Sequence, residues 1–154
     1  YMAFVRGDGG EKTEAVNLAQ MFNSVASAVA RGKSHVALDV QDVEVSIKPN
    51  AFRRLISNLL GNAVRYADNV KVKGGVENRL LTILVDDDGP GIPAKNREDA
   101  FRPFVRLDHA RNLDETGTGL GLAIALDIAH AHGGEIRLDD SPTGGLRAVV
   151  QIPV

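Results

Sequence analysis

The 154-residue chain has no cysteine, which excludes a disulfide framework, a thiol nucleophile and a cysteine-based zinc site. It has no tryptophan, only two tyrosines and five phenylalanines, but 16 glycines. Charge of one sign is also lacking: the net charge is −2, so nothing offers a general electrostatic attraction to nucleic acid. No apolar run approaches the roughly 20 residues that a membrane span requires. The opening Tyr1-Met2-Ala3-Phe4-Val5-Arg6 does not have the form of a signal peptide. What is present, 44% hydrophobic and 25% charged residues, is the balance of a folded domain, and the length suits about one such domain.

Residues 1–13 are rich in glycine and charge and lack periodicity; they are expected to be a leader cut from something longer, with the folded domain spanning 14–154. From Glu14 to Arg31, Val16, Leu18, Ala19, Phe22, Val25, Ala26 and Val29 trace a helical stripe that Gly32 stops. Val36–Val40 and Val43–Ile47 alternate like two strands joined by a tight turn at Gln41-Asp42. Pro49 suits the first turn of a second helix running to about Ala67. Asn69–Gly74 and Leu80–Asp86 form another expected strand pair, with Gly74-Gly75 and Glu77-Asn78 in or near the bend. Regular pattern is lost between Asp87 and Gly121, as in a functional loop or lid. Leu120–His132 is a third amphipathic helix closed by Gly133-Gly134, and Glu135–Leu138 with Ala148–Ile152 predicts a final hairpin around Pro142–Gly145. Hairpins rather than repeated βα units argue for an α+β fold: a two-layer sandwich with a mostly antiparallel sheet and the helices on one face.

Three constellations carry chemistry. On the second helix, Asn58, Asn62, Arg65 and Tyr66 share a stripe distinct from the apolar one. Asparagine is a mediocre helix former, and an amide oxygen can complete a Mg²⁺ octahedron whose other ligands are phosphate and water; alone, the stripe is equally a solvated polar face. Next, Asp86-Asp87-Asp88-Gly89-Pro90-Gly91-Ile92 ends a strand in carboxylates and enters a turn whose glycines permit close backbone approach to a ligand. The alternate acidic positions of a Ca²⁺-binding EF-hand are absent. Last, Gly117-Thr118-Gly119-Leu120-Gly121-Leu122 stands at the mouth of a helix, where free amides suit phosphate. No Walker lysine follows, and Leu122 occupies the place of the third glycine of a dinucleotide fingerprint.

In this order the three resemble the catalytic, ATP-binding domain of bacterial sensor histidine kinases, within the superfamily of gyrase B, the Hsp90 chaperones and MutL, over essentially residues 14–154. The amide helix is similar to that family's N box, Asp87-x-Gly89-x-Gly91 to its G1 box, Phe101-x-Pro103-Phe104 to its F box and Gly117–Gly121 to its G2 box. Val85–Ile92, Phe101–Arg106 and Gly117–Ile124 are most similar to osmosensor kinases of the EnvZ type.

The resemblance implies ATP and Mg²⁺ as ligands. Asn62 would bind the metal, with Asn58 as its supporting amide. Asp87 would accept a hydrogen bond from the adenine amino group, Arg65 would contact phosphate, and Tyr66 would lie against base or ribose. Gly89, Gly91, Ile92, Phe104 and the run Gly117, Thr118, Gly119, Leu120, Gly121 and Leu122 would complete the nucleotide site. Phe101–Thr116 would be a mobile lid from which Arg106 reaches the γ-phosphate. ATP-hydrolysing members carry a water-activating glutamate four residues before the metal-binding asparagine. Asn58 stands there, and an amide is a poor general base. That favours a kinase over a free-standing ATPase, and the completeness of the four boxes counts against a nucleotide-sensing module that transfers nothing.

The family's phosphorylated histidine is followed directly by an acidic residue, whereas the four histidines here precede Val36, Ala110, Ala131 and Gly133. His130 and His132 are expected to meet the last carbonyls of their helix instead. The implied partners are a histidine-bearing dimerisation domain of the same kinase and a response-regulator receiver domain, and no nucleic acid. The implied setting is the cytoplasmic, non-spanning part of a bacterial inner-membrane sensor.

Overall fold

The computed structural model describes residues 10–30, 35–102 and 121–154. Strand β1 (Glu14–Asn17) leads into helix α1 (Leu18–Ala30), then β2 (His35–Val40), β3 (Glu44–Ile47), helix α2 (Pro49–Tyr66), β4 (Asn69–Glu77), β5 (Leu80–Asp87), helix α3 (Gly121–Ala131), β6 (Glu135–Asp140) and β7 (Leu146–Pro153). Five strands form a mixed sheet in the order β2-β4-β5-β7-β6, while β1 and β3 pair separately.

Alternation decides which face of the sheet is covered. Val70, Val72, Leu81, Ile83, Val85, Val150 and Ile152 are buried against Phe22, Phe52, Leu55, Leu59 and Ile128 of the helices. Each such side chain contributes about 1.5–3 kcal/mol relative to an exposed one. The intervening residues, among them Lys71, Lys73, Thr82 and Arg137, face outward on the uncovered side. The result is the expected α+β two-layer sandwich.

Two sequence expectations are corrected. Glu14–Asn17 is a strand, not the first turn of α1, and it pairs antiparallel with β3. Asn17 ends it because its Oδ1 accepts the Gln20 N–H at 2.9 Å, an N-cap that fixes the helix start at Leu18. The expected hairpin of Val36–Val40 with Val43–Ile47 does not form either. β2 pairs in parallel with β4, and β3 turns away to β1. Gln41, expected in a turn, extends the β4 edge: its N–H donates to the Gly74 carbonyl at 2.9 Å and its Oε1 accepts the Val76 N–H at 2.9 Å. The β4–β5 bend lies at Asn78-Arg79, both at positive φ (52° and 63°), so Asn78 stands in the bend as expected while Gly74 and Gly75 lie within β4.

Helix α2 begins without a capping side chain of its own. Pro49 has no N–H to satisfy, and the next two donors, on Asn50 and Ala51, reach the Glu11 carboxylate at 2.9 and 3.0 Å. Glu11 lies in the segment to which the sequence assigns no structural part, so only the fold supplies this cap. The Lys48 N–H donates to His132 Nε2 at 3.0 Å while His132 Nδ1 meets the Ile128 carbonyl at 2.9 Å, a pattern that assigns the Nδ1–H tautomer. His132 thus contacts a last carbonyl of α3 as expected. His130 instead faces Glu135, at 3.3 Å.

Candidate functional site

Helix α2 carries Asn58, Asn62, Arg65 and Tyr66 on its last two turns, with both asparagines half-buried. Asn58 Nδ2 donates to the carbonyl of Gly121, the first residue of α3, at 3.2 Å. The amide stripe is therefore joined to the start of the helix that follows the Gly117–Gly121 run. Leu122 is half-buried against the core. Gly121 itself is open, since a Cβ there would meet nothing within 4 Å. Phe104, Arg106, Gly117, Thr118, Gly119 and Leu120 lie outside the described residues, as does most of the expected lid.

The three consecutive carboxylates have three different environments. Asp86 points to the uncovered face, where Arg147 grips it through two bonds, Nε to Oδ1 at 2.7 Å and Nη2 to Oδ2 at 3.0 Å. This hydrogen-bonded pairing raises the Arg147 guanidinium above its ordinary value. Asp87 points inward and is 2% exposed. Its Oδ1 accepts the N–H groups of Gly89 at 3.0 Å and Leu146 at 3.1 Å, and its carbonyl accepts from Thr143 Oγ1 at 2.8 Å. Asp88 holds the start of β4. Its Oδ1 accepts from the amides of Asp68 and Asn69, both at 3.0 Å, and Oδ2 from Asn69 Nδ2 at 2.8 Å. The backbone and side-chain bonds from Asn69 lower its pKa from the ordinary carboxylate value.

Around Asp87 the chain is packed so closely that two glycines are obligatory. A Cβ on Gly89 would lie 2.5 Å from the Tyr66 carbonyl oxygen at the end of α2. A Cβ on Gly145 would run into the Asp87 carboxylate and backbone and lie 2.7 Å from the Gly89 nitrogen. Gly91 adopts φ +72° beside Gly145. Ile92 is 4% exposed and its carbonyl accepts from Arg97 Nε at 2.9 Å, while Arg97 Nη2 pairs with Asp140 at 2.5 Å. Two short 3₁₀ turns, Ala94–Asn96 and Asp99–Phe101, follow, with Ala100 buried and Phe101 packed on the core.

The fold therefore brings Asp87, Gly89 and Gly91 to the C-terminal end of the amide helix and joins Asn58 to Gly121. Sequence reasoning missed Thr143, Gly145 and Leu146, which it placed only in or beside a hairpin bend. The pair Gly144-Gly145 was a signal for close packing, but nothing local pointed to Asp87 as the neighbour. Among the described residues no group of three or more His, Asp or Glu side chains is arranged to hold a metal. A divalent ion at Asn62 would need phosphate and water to complete its shell, which suits Mg²⁺.

Comparison with known proteins agrees with this geometry. Residues 47–154 match the family described as histidine kinase-, DNA gyrase B- and HSP90-like ATPase. The sensor histidine kinase CpxA of Escherichia coli K12 is 45% identical over 107 residues, which is 69% of this chain and 23% of CpxA, so the chain spans about a quarter of that relative's length. The ATP-binding domain of PrrB from Mycobacterium tuberculosis superposes with a TM-score of 0.75 at 28% identity, covering 92% of this chain and 96% of PrrB's. The histidine kinase domain of the E. coli osmosensor EnvZ does so with a TM-score of 0.70 at 34% identity, covering 93% and 89%. No helix among the described residues is long and apolar enough to cross a membrane. A buried aspartate under a glycine turn, an amide helix beside it and a matching sequence over most of the fold lead to one conclusion: the chain belongs to the histidine kinase-, DNA gyrase B- and HSP90-like ATPase family, as the ATP-binding domain of a two-component sensor histidine kinase.

Proposed function

We propose that this domain binds MgATP and passes the γ-phosphate to a histidine on a separate dimerisation domain of the same kinase, from which a response-regulator aspartate receives it. The observation that carries the reading is the Asp87 carboxylate, buried at the end of β5 and fixed by the Gly89 and Leu146 amides beside α2. In this reading Asp87 recognises the adenine amino group, with Gly89, Gly91 and Ile92 shaping the wall of the base pocket. Tyr66 lies against base or ribose and Arg65 contacts phosphate. Asn62 binds Mg²⁺, which would neutralise charge on the phosphates, and Asn58 supports it from one turn earlier. Phe104, Arg106 and the Gly117–Leu122 run complete the phosphate end, with Arg106 on the γ-phosphate.

The transfer is an in-line displacement. An imidazole nitrogen of the acceptor attacks the γ-phosphorus, the bond to the β–γ bridging oxygen breaks, and ADP leaves with that electron pair. Asn58 cannot take a proton from water at neutral pH, so the γ-phosphate is protected until the histidine arrives. This chemistry favours transfer over hydrolysis.

The test mixes this domain with a separately prepared histidine-bearing dimerisation domain and labelled ATP. Acid-labile phosphate on the partner is expected, and it should disappear with Asp87→Asn. Losing a charge-assisted bond in a dry pocket costs about 1.5–3 kcal/mol, and more when its partner is left unpaired. Rapid release of free phosphate with no labelled partner would instead favour a hydrolase.

A further inference from the structure

We infer that Asp86 and Arg147, on the face of the sheet that the helices leave uncovered, are positioning residues for nucleotide binding. The inference rests on the reading of Asp87 given above. Asp86 and Arg147 are Cα partners and form the last rung of the β5–β7 ladder. One step further on each strand, the backbone pairing is replaced: the Leu146 amide donates to the Asp87 side chain. The two bonds that join Arg147 to Asp86 on the outer face and the bond that joins Leu146 to Asp87 on the inner face therefore share one dipeptide from each strand.

Successive side chains of a strand point to opposite faces, so a clamp on the outer face fixes the register and twist of the rung without touching the ligand. Arginine suits this task because its planar fork meets a carboxylate at two points and resists rotation. The pair is well protected, with side-chain exposures of 12% for Asp86 and 29% for Arg147. Lys71 lies beside Asp86 in the β4 register and Asp139 beside Arg147 in the β6 register. The charges alternate across four strands, so neither member is repelled by a like-charged neighbour in the row. The inner face has no slack to absorb a shift, because Gly145 already contacts Asp87 with no room for a methyl group.

The test compares the unaltered protein with Arg147→Lys, Asp86→Asn and, as a control on the same face, Lys73→Gln. Arg147→Lys keeps the charge and removes the two-point grip. It is expected to raise the dissociation constants of AMP, ADP and ATP by a common factor of about five or more, because the lost alignment lies at the adenine end. In the nucleotide-free protein the Leu146 amide should exchange its proton faster in Arg147→Lys and Asp86→Asn, while the amides of α1 keep their protection. Lys73→Gln should change neither quantity. Unchanged Leu146 exchange in both pair variants overturns the inference, as does a loss confined to ATP with AMP unaffected. If the unaltered protein binds no adenine nucleotide, the reading of the site fails, and Leu146 exchange still decides whether the pair sets the Asp87 geometry.

Discussion

The Nε2 atom of His132 accepts the Lys48 amide at 3.0 Å, so the end of α3 supplies the acceptor at the beginning of α2, the helix that carries Asn58 and Asn62. The other ring nitrogen meets the Ile128 carbonyl, and the ring edge approaches Phe52 with centroids 6.0 Å apart. Removing the ring takes the Nε2 acceptor away from the Lys48 amide and the edge contact away from Phe52 in a partly buried place. His132→Ala is expected to lower stability by about 1–3 kcal/mol, seen as an earlier midpoint in urea. A midpoint equal to that of the unaltered protein contradicts this.

Glu11 caps the same helix from outside it. Glu11→Ala removes the acceptor of two backbone donors and a negative charge from the positive end of a helix dipole, a loss of about 0.5–2 kcal/mol. Glu11→Gln keeps one acceptor oxygen and should fall between the two. Denaturation of the three proteins in parallel checks the order.

Gly145→Ala places a methyl group against Asp87 and the Gly89 nitrogen, which are held by backbone and cannot step aside. Overpacking of this kind costs about 1–3 kcal/mol of stability. Because the displaced group is Asp87, adenine-nucleotide affinity should fall further than stability does. Calorimetric titration beside a melting curve separates the two, and an affinity preserved in a destabilised protein would falsify the placement of the base.

Asn62→Ala is expected to abolish the Mg²⁺ dependence of ATP binding. Asn62→Asp should weaken MgATP binding, since a carboxylate beside a triphosphate adds like charge that only Arg65 on the same stripe offsets. Titrations with and without Mg²⁺ decide this. An unaltered protein indifferent to Mg²⁺ refutes the metal role.

Asp88 links stability to acid. Its pKa is lowered in the folded protein, first by the Asn69 backbone amide and then by the Asn69 side chain. A carboxylate whose folded value lies below its unfolded one contributes stability that is present above the unfolded value and is lost as pH falls through the folded value. Stability should therefore decline on the acid side of the ordinary carboxylate range. Asp88→Asn should flatten that part of the curve and leave the neutral-to-alkaline part parallel. Identical acid limbs in the two proteins would remove Asp88 from the account.

What the sequence by itself determined were the features that repeat along the chain. The apolar stripe of α2 with its separate amide stripe, Pro49 at its start, the glycine stop after α3 and the alternation of β5 were all legible, because side-chain periods of 3.6 and 2 are local properties. Gly117 lies outside the described residues, while the turn after Asp87 was legible because its acidic and glycine residues are consecutive in the chain. The pairing of strands was not. β2 and β3 look like a hairpin because they are adjacent, yet β2 is completed by β4 across the whole of α2, and β1 was hidden in a helical pattern that its pairing with β3 overrides. Only the tertiary structure separated three neighbouring carboxylates into a clamp, a buried acceptor and a strand anchor. It did so because their partners, Arg147, Leu146 and Asn69, come from positions between 19 and 61 residues away. The identity of a side chain is fixed where it stands, but its function is fixed by what the fold sets opposite it.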